Sequence, residues 1–138
     1  MPVAVVRWIQ LPNVEDDRGL LTAMEVGRDI PFEVRRVFFL HGVRGARGGH
    51  AHRDSHQFLV PVTGHFNVTV SDDRRSSVYD LRDPHRGLYV PPMHWVDLDG
   101  FSSGAVCLVL TDTPFDEQDY LRDRETFVEA SRARGTER

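Results

Sequence analysis

The stretch Gln57-Phe58-Leu59-Val60-Pro61-Val62-Thr63-Gly64-His65-Phe66-Asn67-Val68-Thr69-Val70 decides the fold. Its second half alternates. Phe66, Val68 and Val70 fall on one side of an extended chain and His65, Asn67 and Thr69 on the other, because strand side chains have a period of two. Such a strand buries one face and wets the other, so the apolar set is expected in the core. Gln57 to Thr63 reads as a second strand, and Thr63-Gly64 supplies the turn between the two.

Working outward, similar short runs recur at Val3–Ile9, Leu20–Val26, Val34–Leu40, Val78–Leu81, Leu88–Val90 and Ala105–Thr111. Turn residues separate them at Asp17-Arg18-Gly19, Asp72-Asp73 and Pro91-Pro92, and Gly42 to Gly49 reads as the most flexible loop. This rhythm predicts an all-β sandwich or barrel. The pattern changes only after Pro114. In Asp116–Ala130, Leu121, Arg124, Thr126, Phe127 and Val128 are spaced as one stripe of a C-terminal helix, with Asp116 and Glu117 where the helix dipole favours anions. Ser131–Arg138 lacks apolar content and is expected to fray.

A chain of 138 residues with 40% apolar content suits one domain, residues 1–138, around one core. The net charge of −4 does not advertise a nucleic-acid or membrane-surface partner. All 17 basic residues are arginine, which excludes lysine chemistry and leaves a guanidinium fork suited to phosphate. Cys107 is the only cysteine, so neither an internal disulfide nor a cysteine-based metal cluster is expected. No stretch resembles a signal peptide or reaches membrane-spanning length, and a cytoplasmic chain is expected.

The densest chemistry lies in Arg47-Gly48-Gly49-His50-Ala51-His52-Arg53-Asp54-Ser55-His56-Gln57. In an extended segment His50 and His52 point to the same side, so two imidazoles face one cavity. Two uses are open. The pair can shuttle a proton between neighbouring carbons, or His50, His52 and His56 can hold a divalent metal. Elsewhere, Asp97 and Asp99 read as turn residues before Phe101. Glu25, on an expected strand, is either exposed or a second carboxylate base.

The order Arg18-Gly19, Ile30-Pro31-Phe32, Arg36-Val37-Phe38-Phe39, Arg47-Gly48-Gly49-His50-Ala51-His52-Arg53, Gly87-Leu88-Tyr89-Val90, Trp95, Phe101-Ser102 and Asp116-Glu117-Gln118-Asp119-Tyr120-Leu121-Arg122 resembles the 3,4-ketoisomerase group of the WxcM-like cupins. The resemblance spans Arg18 to Phe127. It implies a cupin (jelly-roll) barrel, a homodimer, and a metal- and cofactor-independent isomerisation of a dTDP-linked 4-keto-6-deoxyhexose. It casts His50 and His52 as the proton-transfer pair, with His50 the base and His52 the donor to the enediolate oxygen. Arg18 and Arg47, backed by Arg36, are then the diphosphate ligands. Phe39, His56 and Trp95 complete the expected substrate contacts, Trp95 being equally readable as core.

Three features depart from the family pattern, one of them a shortened loop between Phe39 and His50. Phe38 and Phe39 stand where relatives carry tyrosine, which removes a hydroxyl expected to assist proton transfer. His56 replaces a glutamate before Gln57, which favours the metal-dependent alternative, an oxygenase or cyclase-like isomerase. A third possibility is a sugar-nucleotide binding module without catalysis.

Overall fold

The structure is a computed structural model and describes residues 5–136. Its core is two facing antiparallel sheets of five strands. The strands are β1 (Arg7–Gln10), β2 (Asn13–Asp16), β3 (Gly19–Thr22), β4 (Arg36–Leu40), β5 (Arg47–His52), β6 (Gln57–Thr63), β7 (Phe66–Ser71), β8 (Ser76–Leu81), β9 (Arg86–Val90), β10 (Trp95–Asp99), β11 (Val106–Thr111) and β12 (Tyr120–Leu121), followed by helix α1 (Arg124–Thr136). One sheet runs β1-β9-β6-β11-β4 and the other β12-β5-β10-β7-β8, while β2 and β3 form a separate hairpin. This is the cupin-type barrel expected from the sequence.

The deciding stretch forms β6 and β7, on opposite sheets. Phe66, Val68 and Val70 are buried, and they join Leu59, Leu88, Val96, Leu98 and Val109 in the core between the sheets. β6 lies between β9 and β11 and is buried on both faces over Gln57–Pro61. Leu59 points into the barrel, whereas Phe58 and Val60 point outward and pack under Leu11, Ile30, Met24, Phe32 and Val34. The connection from β3 to β4 therefore acts as a lid over the outer face of that sheet. On the other sheet, α1 buries Phe127 against Trp95, Ala51 and Leu121. Burying a side chain of that size contributes roughly 2–3 kcal/mol.

Several expected boundaries move. The first strand begins at Arg7, and residues 3 and 4 lie outside the described residues. The strand expected over Leu20–Val26 ends at Thr22, so Glu25 sits in the following turn, exposed and 3.6 Å from Arg28. Asp97 and Asp99 are the outward-facing positions of β10, not turn residues, with Val96 and Leu98 facing inward. The Gly42–Gly49 segment is a loop only in its first part, because Arg47 already belongs to β5.

The helix also shifts. Glu117–Asp119 is a single 3₁₀ turn capped by the Asp116 side chain, and Tyr120–Leu121 pairs with His52 and Ala51. α1 starts only at Arg124, where Asp123 accepts the Thr126 amide and hydroxyl, and it continues through Thr136 rather than fraying after Ala130. Edge pairing with β5 satisfies backbone groups that a helix over Asp116–Ala130 would have used internally, and so takes residues 120 and 121 into the sheet.

Candidate active site

β5 places the histidines through a bulge. In its pairing with β10, Val96 faces His50 and Asp97 faces Gly48, so Gly49 is the extra residue. Gly48 and Gly49 both adopt positive φ, 86° and 74°. A Cβ on Gly48 would lie 2.6 Å from the carbonyl oxygen of Val96, so only glycine fits there. Beyond the bulge, regular alternation sets His50 and His52 side by side, with ring centroids 5.1 Å apart and planes at 88°.

His50 lines a cavity of about 320 Å³ between the sheets, together with Arg36, Phe38, Arg47, Gln57, Tyr120 and Arg122. Its imidazole is pushed down to about 4, first by burial and then by the adjacent His52; the Gly48 backbone acts weakly the other way. Its Nδ1 is buried with no partner at hydrogen-bonding geometry. Burial and the neighbouring His52 therefore favour the neutral form of the His50 ring, which can accept a proton.

His52 is held differently. Its Nδ1 lies 2.8 Å from Oδ2 of Asp119 and its Nε2 lies 3.1 Å from Nε2 of Gln57. With Nδ1–H given to the carboxylate, Nε2 is the acceptor for the Gln57 amide, and both ring nitrogens are satisfied. Burial lowers its proton affinity, outweighing the hydrogen bond and charge of Asp119. Burial alone would raise the Asp119 carboxyl, but hydrogen bonds from Ser55, His52 and the Asp54 amide together hold it below its ordinary value. The Asp54 amide donates at 2.7 Å, and the Ser55 hydroxyl also meets Thr113. The result is a carboxylate that fixes the rotamer and tautomer of His52 behind His50.

Of the residues expected to contact substrate, Arg36 and Arg47 line the cavity. Arg18 does not: its side chain is 86% exposed at the tip of the β2–β3 hairpin and is paired with Asp16. On β4 the strand period selects Phe38 for the cavity and turns Phe39 outward, where it is 56% exposed beside His41. Trp95 is core, packed on Phe127 beneath α1 with Arg124 over its ring. His56 faces away, its Nδ1 2.7 Å from the Tyr89 hydroxyl and its ring stacked on Tyr89. The HxHxxxH set therefore does not converge. Among the described residues no group of three or more His, Cys, Asp or Glu side chains is arranged to hold a metal ion.

Four residues given no role in the sequence reading take part: Gln57, Asp119, Tyr120 and Arg122. The Tyr120 ring lies 5.0 Å from that of His50 and 4.4 Å from that of His52. Arg122 lies over the Tyr120 ring at 4.4 Å and is fixed by two hydrogen bonds to Glu117. The Asp116–Arg122 run was visible as a charged segment, but a helical reading of it hid the alternation that β12 imposes.

A cupin barrel with a buried imidazole lining its cavity, beside a histidine locked to a buried carboxylate, is an arrangement able to carry out acid–base chemistry. The chain belongs to the family described as FdtA, WxcM-like, C-terminal, whose model matches residues 4–132. It is 36% identical over 121 residues to the TDP-4-oxo-6-deoxy-alpha-D-glucose-3,4-oxoisomerase of Aneurinibacillus thermoaerophilus, covering 86% of this chain and 87% of that one. Among solved structures, it superposes on the sugar 3,4-ketoisomerase QdtA of Thermoanaerobacterium thermosaccharolyticum in complex with TDP. There the TM-score is 0.91 and the identity 32%, with 94% of this chain and 96% of the other covered. A histidine-to-asparagine mutant of the same enzyme, in complex with TDP-4-keto-6-deoxyglucose, matches with a TM-score of 0.91 at 31% identity, covering 94% and 95%.

Proposed function

We propose that this protein is a sugar-nucleotide 3,4-ketoisomerase that converts a dTDP-linked 4-keto-6-deoxyhexose into its 3-keto isomer. The observation that carries the reading is His50: an imidazole kept neutral by burial and by His52, lining a cavity that also presents Arg36, Arg47 and Arg122. His50 removes the proton from C3, alpha to the C4 carbonyl, and an enediol forms. The proton then returns to C4, the O3 hydroxyl loses its proton, and the ketone is left at C3. No net oxidation occurs, so the atoms and electrons balance within the sugar.

The charged end of the substrate is a diphosphate, and the guanidinium groups at the cavity suit it through bidentate hydrogen bonds. Arg36 is braced against Phe38 and Phe115, which reduces the freedom it loses on binding. His52, held by Asp119 and Gln57, positions His50 and sets its electrostatic surroundings. With both ring nitrogens hydrogen-bonded, His52 in this reading supports His50 from behind the reacting atoms instead of donating to the enediolate oxygen.

The protein acts as a homodimer in this reading. Val14, Leu20 and Leu21 on the β2–β3 hairpin, and Val37 and Phe39 on β4, are large apolar side chains that stand exposed in the single chain. A nucleotide-sugar substrate also places the work in the cytoplasm. Among the described residues no helix is long and apolar enough to cross a membrane.

Incubation with the dTDP-linked 4-keto-6-deoxyglucose in deuterated water, followed by NMR, tests the proposal. Deuterium in a new 3-keto sugar is the expected result. Tight binding without exchange or conversion would leave a non-catalytic binding module in its place.

A further inference from the structure

The isomerisation moves two protons. One leaves C3 and arrives at C4, which His50 can manage alone. The other must leave the O3 hydroxyl and appear on O4, and a single imidazole occupied with carbon cannot serve both pairs at once. The group that moves the second proton has to donate and accept through one atom, touching two vicinal oxygens in turn. Arginine donates only, and the amide nitrogen of Gln57 is committed to Nε2 of His52.

Resting on the isomerase reading above, we infer that Tyr120 is a catalytic residue that relays the hydroxyl proton between O4 and O3 of the sugar. Among the described residues lining the cavity, Tyr120 is the only one with a hydroxyl, and Phe38 presents a bare ring. Its ring lies 5.0 Å from that of His50. No hydrogen bond is made by its hydroxyl to any described residue, in contrast to the Tyr89 hydroxyl, which is held by His56. Strand pairing with β5, in which Tyr120 stands opposite His52, fixes the ring beside the base.

The steps balance as follows. His50 takes the C3 proton; the C3–H electrons form the C3–C4 double bond, and the carbonyl electrons move to O4, which takes the proton of Tyr120. The phenolate so formed accepts the O3 proton as the C3 carbonyl forms and the double-bond electrons collect the proton of His50 at C4. Tyr120 and His50 return to their starting states. Arg122, lying over the ring at 4.4 Å, steadies the negative charge that the tyrosine carries between the two transfers.

The test is Tyr120→Phe, alone and combined with Phe38→Tyr, with kcat, KM, TDP affinity and deuterium incorporation measured for each. The expected result is a fall in kcat of roughly a hundredfold or more for Tyr120→Phe, with TDP affinity within about twofold. Phe38→Tyr, which puts a hydroxyl back at the same cavity, should recover part of that loss. A Tyr120→Phe enzyme whose kcat stays within about threefold of the parent overturns the relay. So does one in which only KM rises, since that would make Tyr120 a binding group. A parent enzyme that neither exchanges nor converts the substrate overturns the isomerase reading itself and the relay with it, which separates the two failures.

Discussion

His52 and Asp119, 67 residues apart in sequence, meet at 2.8 Å in a buried hydrogen bond that links the middle of the barrel to its C-terminal segment. Asp119 also accepts the Ser55 hydroxyl and the Asp54 amide, so one carboxylate ties together β5, the loop after it and the approach to α1. Asp119→Ala leaves His52 Nδ1–H and the Asp54 amide without a partner, while the Ser55 hydroxyl keeps Thr113, and is expected to cost about 3 kcal/mol, from the penalty for orphaned buried groups and the strength of hydrogen bonds to a charge. Urea denaturation of the parent and the variant measures it. Asp119→Asn keeps one acceptor oxygen and should lose less stability than Asp119→Ala, while its kcat still drops because His52 is no longer held in one tautomer.

His50 sets the acid side of the pH profile. Because its proton affinity is pushed down to about 4, the free enzyme keeps its base neutral through the weakly acidic range. The acid limb of kcat/KM is therefore expected well below the ordinary histidine value of about 6.5. His50→Asn should lower kcat by about a thousandfold or more while retaining TDP binding, as acid–base groups of this kind contribute. A profile that bends near the ordinary histidine value would show that a different group is the base.

The same histidine makes folding stability depend on pH. Unfolded, its imidazole takes a proton below about 6.5; folded, it resists until about 4. Between those values the unfolded chain binds more protons, so stability is complete above that window and declines as pH falls through it. His52 shifts in the same direction. Asp119 adds a second loss further down: its lowered carboxyl stabilises the fold above the ordinary aspartate value of about 3.9 and stops doing so as pH falls through its folded value. Denaturation midpoints from pH 7 to pH 4 should fall steadily in the parent and more shallowly in His50→Asn.

Gly48 and Gly49 share positive φ but differ in surroundings. A Cβ at Gly48 collides with the Val96 carbonyl at 2.6 Å, whereas at Gly49 the nearest atom is 3.9 Å away. Gly48→Ala is thus expected to cost about 3 kcal/mol or more, from strained backbone plus a clash. Gly49→Ala should cost about 1–2 kcal/mol, the left-handed backbone alone. Equal losses in thermal unfolding would contradict the bulge.

His56 lies outside the cavity, engaged with Tyr89. His56→Gln should leave kcat and KM within about twofold, and cost about 1 kcal/mol by weakening one hydrogen bond. A steep loss of activity, restored by an added divalent metal, would return the three-histidine metal site to consideration.

The sequence by itself determined the strand rhythm, and with it a sandwich or barrel, and the histidine pair, because a period of two is written locally in residues such as Phe66, Val68 and Val70, while the cupin barrel followed from the family resemblance. The same rule placed His50 beside His52. It fails at Asp97 and Asp99, which read as turn residues before Phe101 but lie on β10, and at Tyr120–Leu121, where a helical stripe crosses what is an edge strand. Tertiary structure alone decided the rest. Whether Phe38 or Phe39 faces the cavity depends on which side of β4 meets the other sheet, and whether His56 joins His50 depends on the direction in which the chain leaves β5. The partnership of His52 with Asp119 and the seat of Tyr120 come from pairing between β5 and β12. Such non-local contacts are selected by packing and hydrogen-bond satisfaction across the whole fold, which no local spacing encodes.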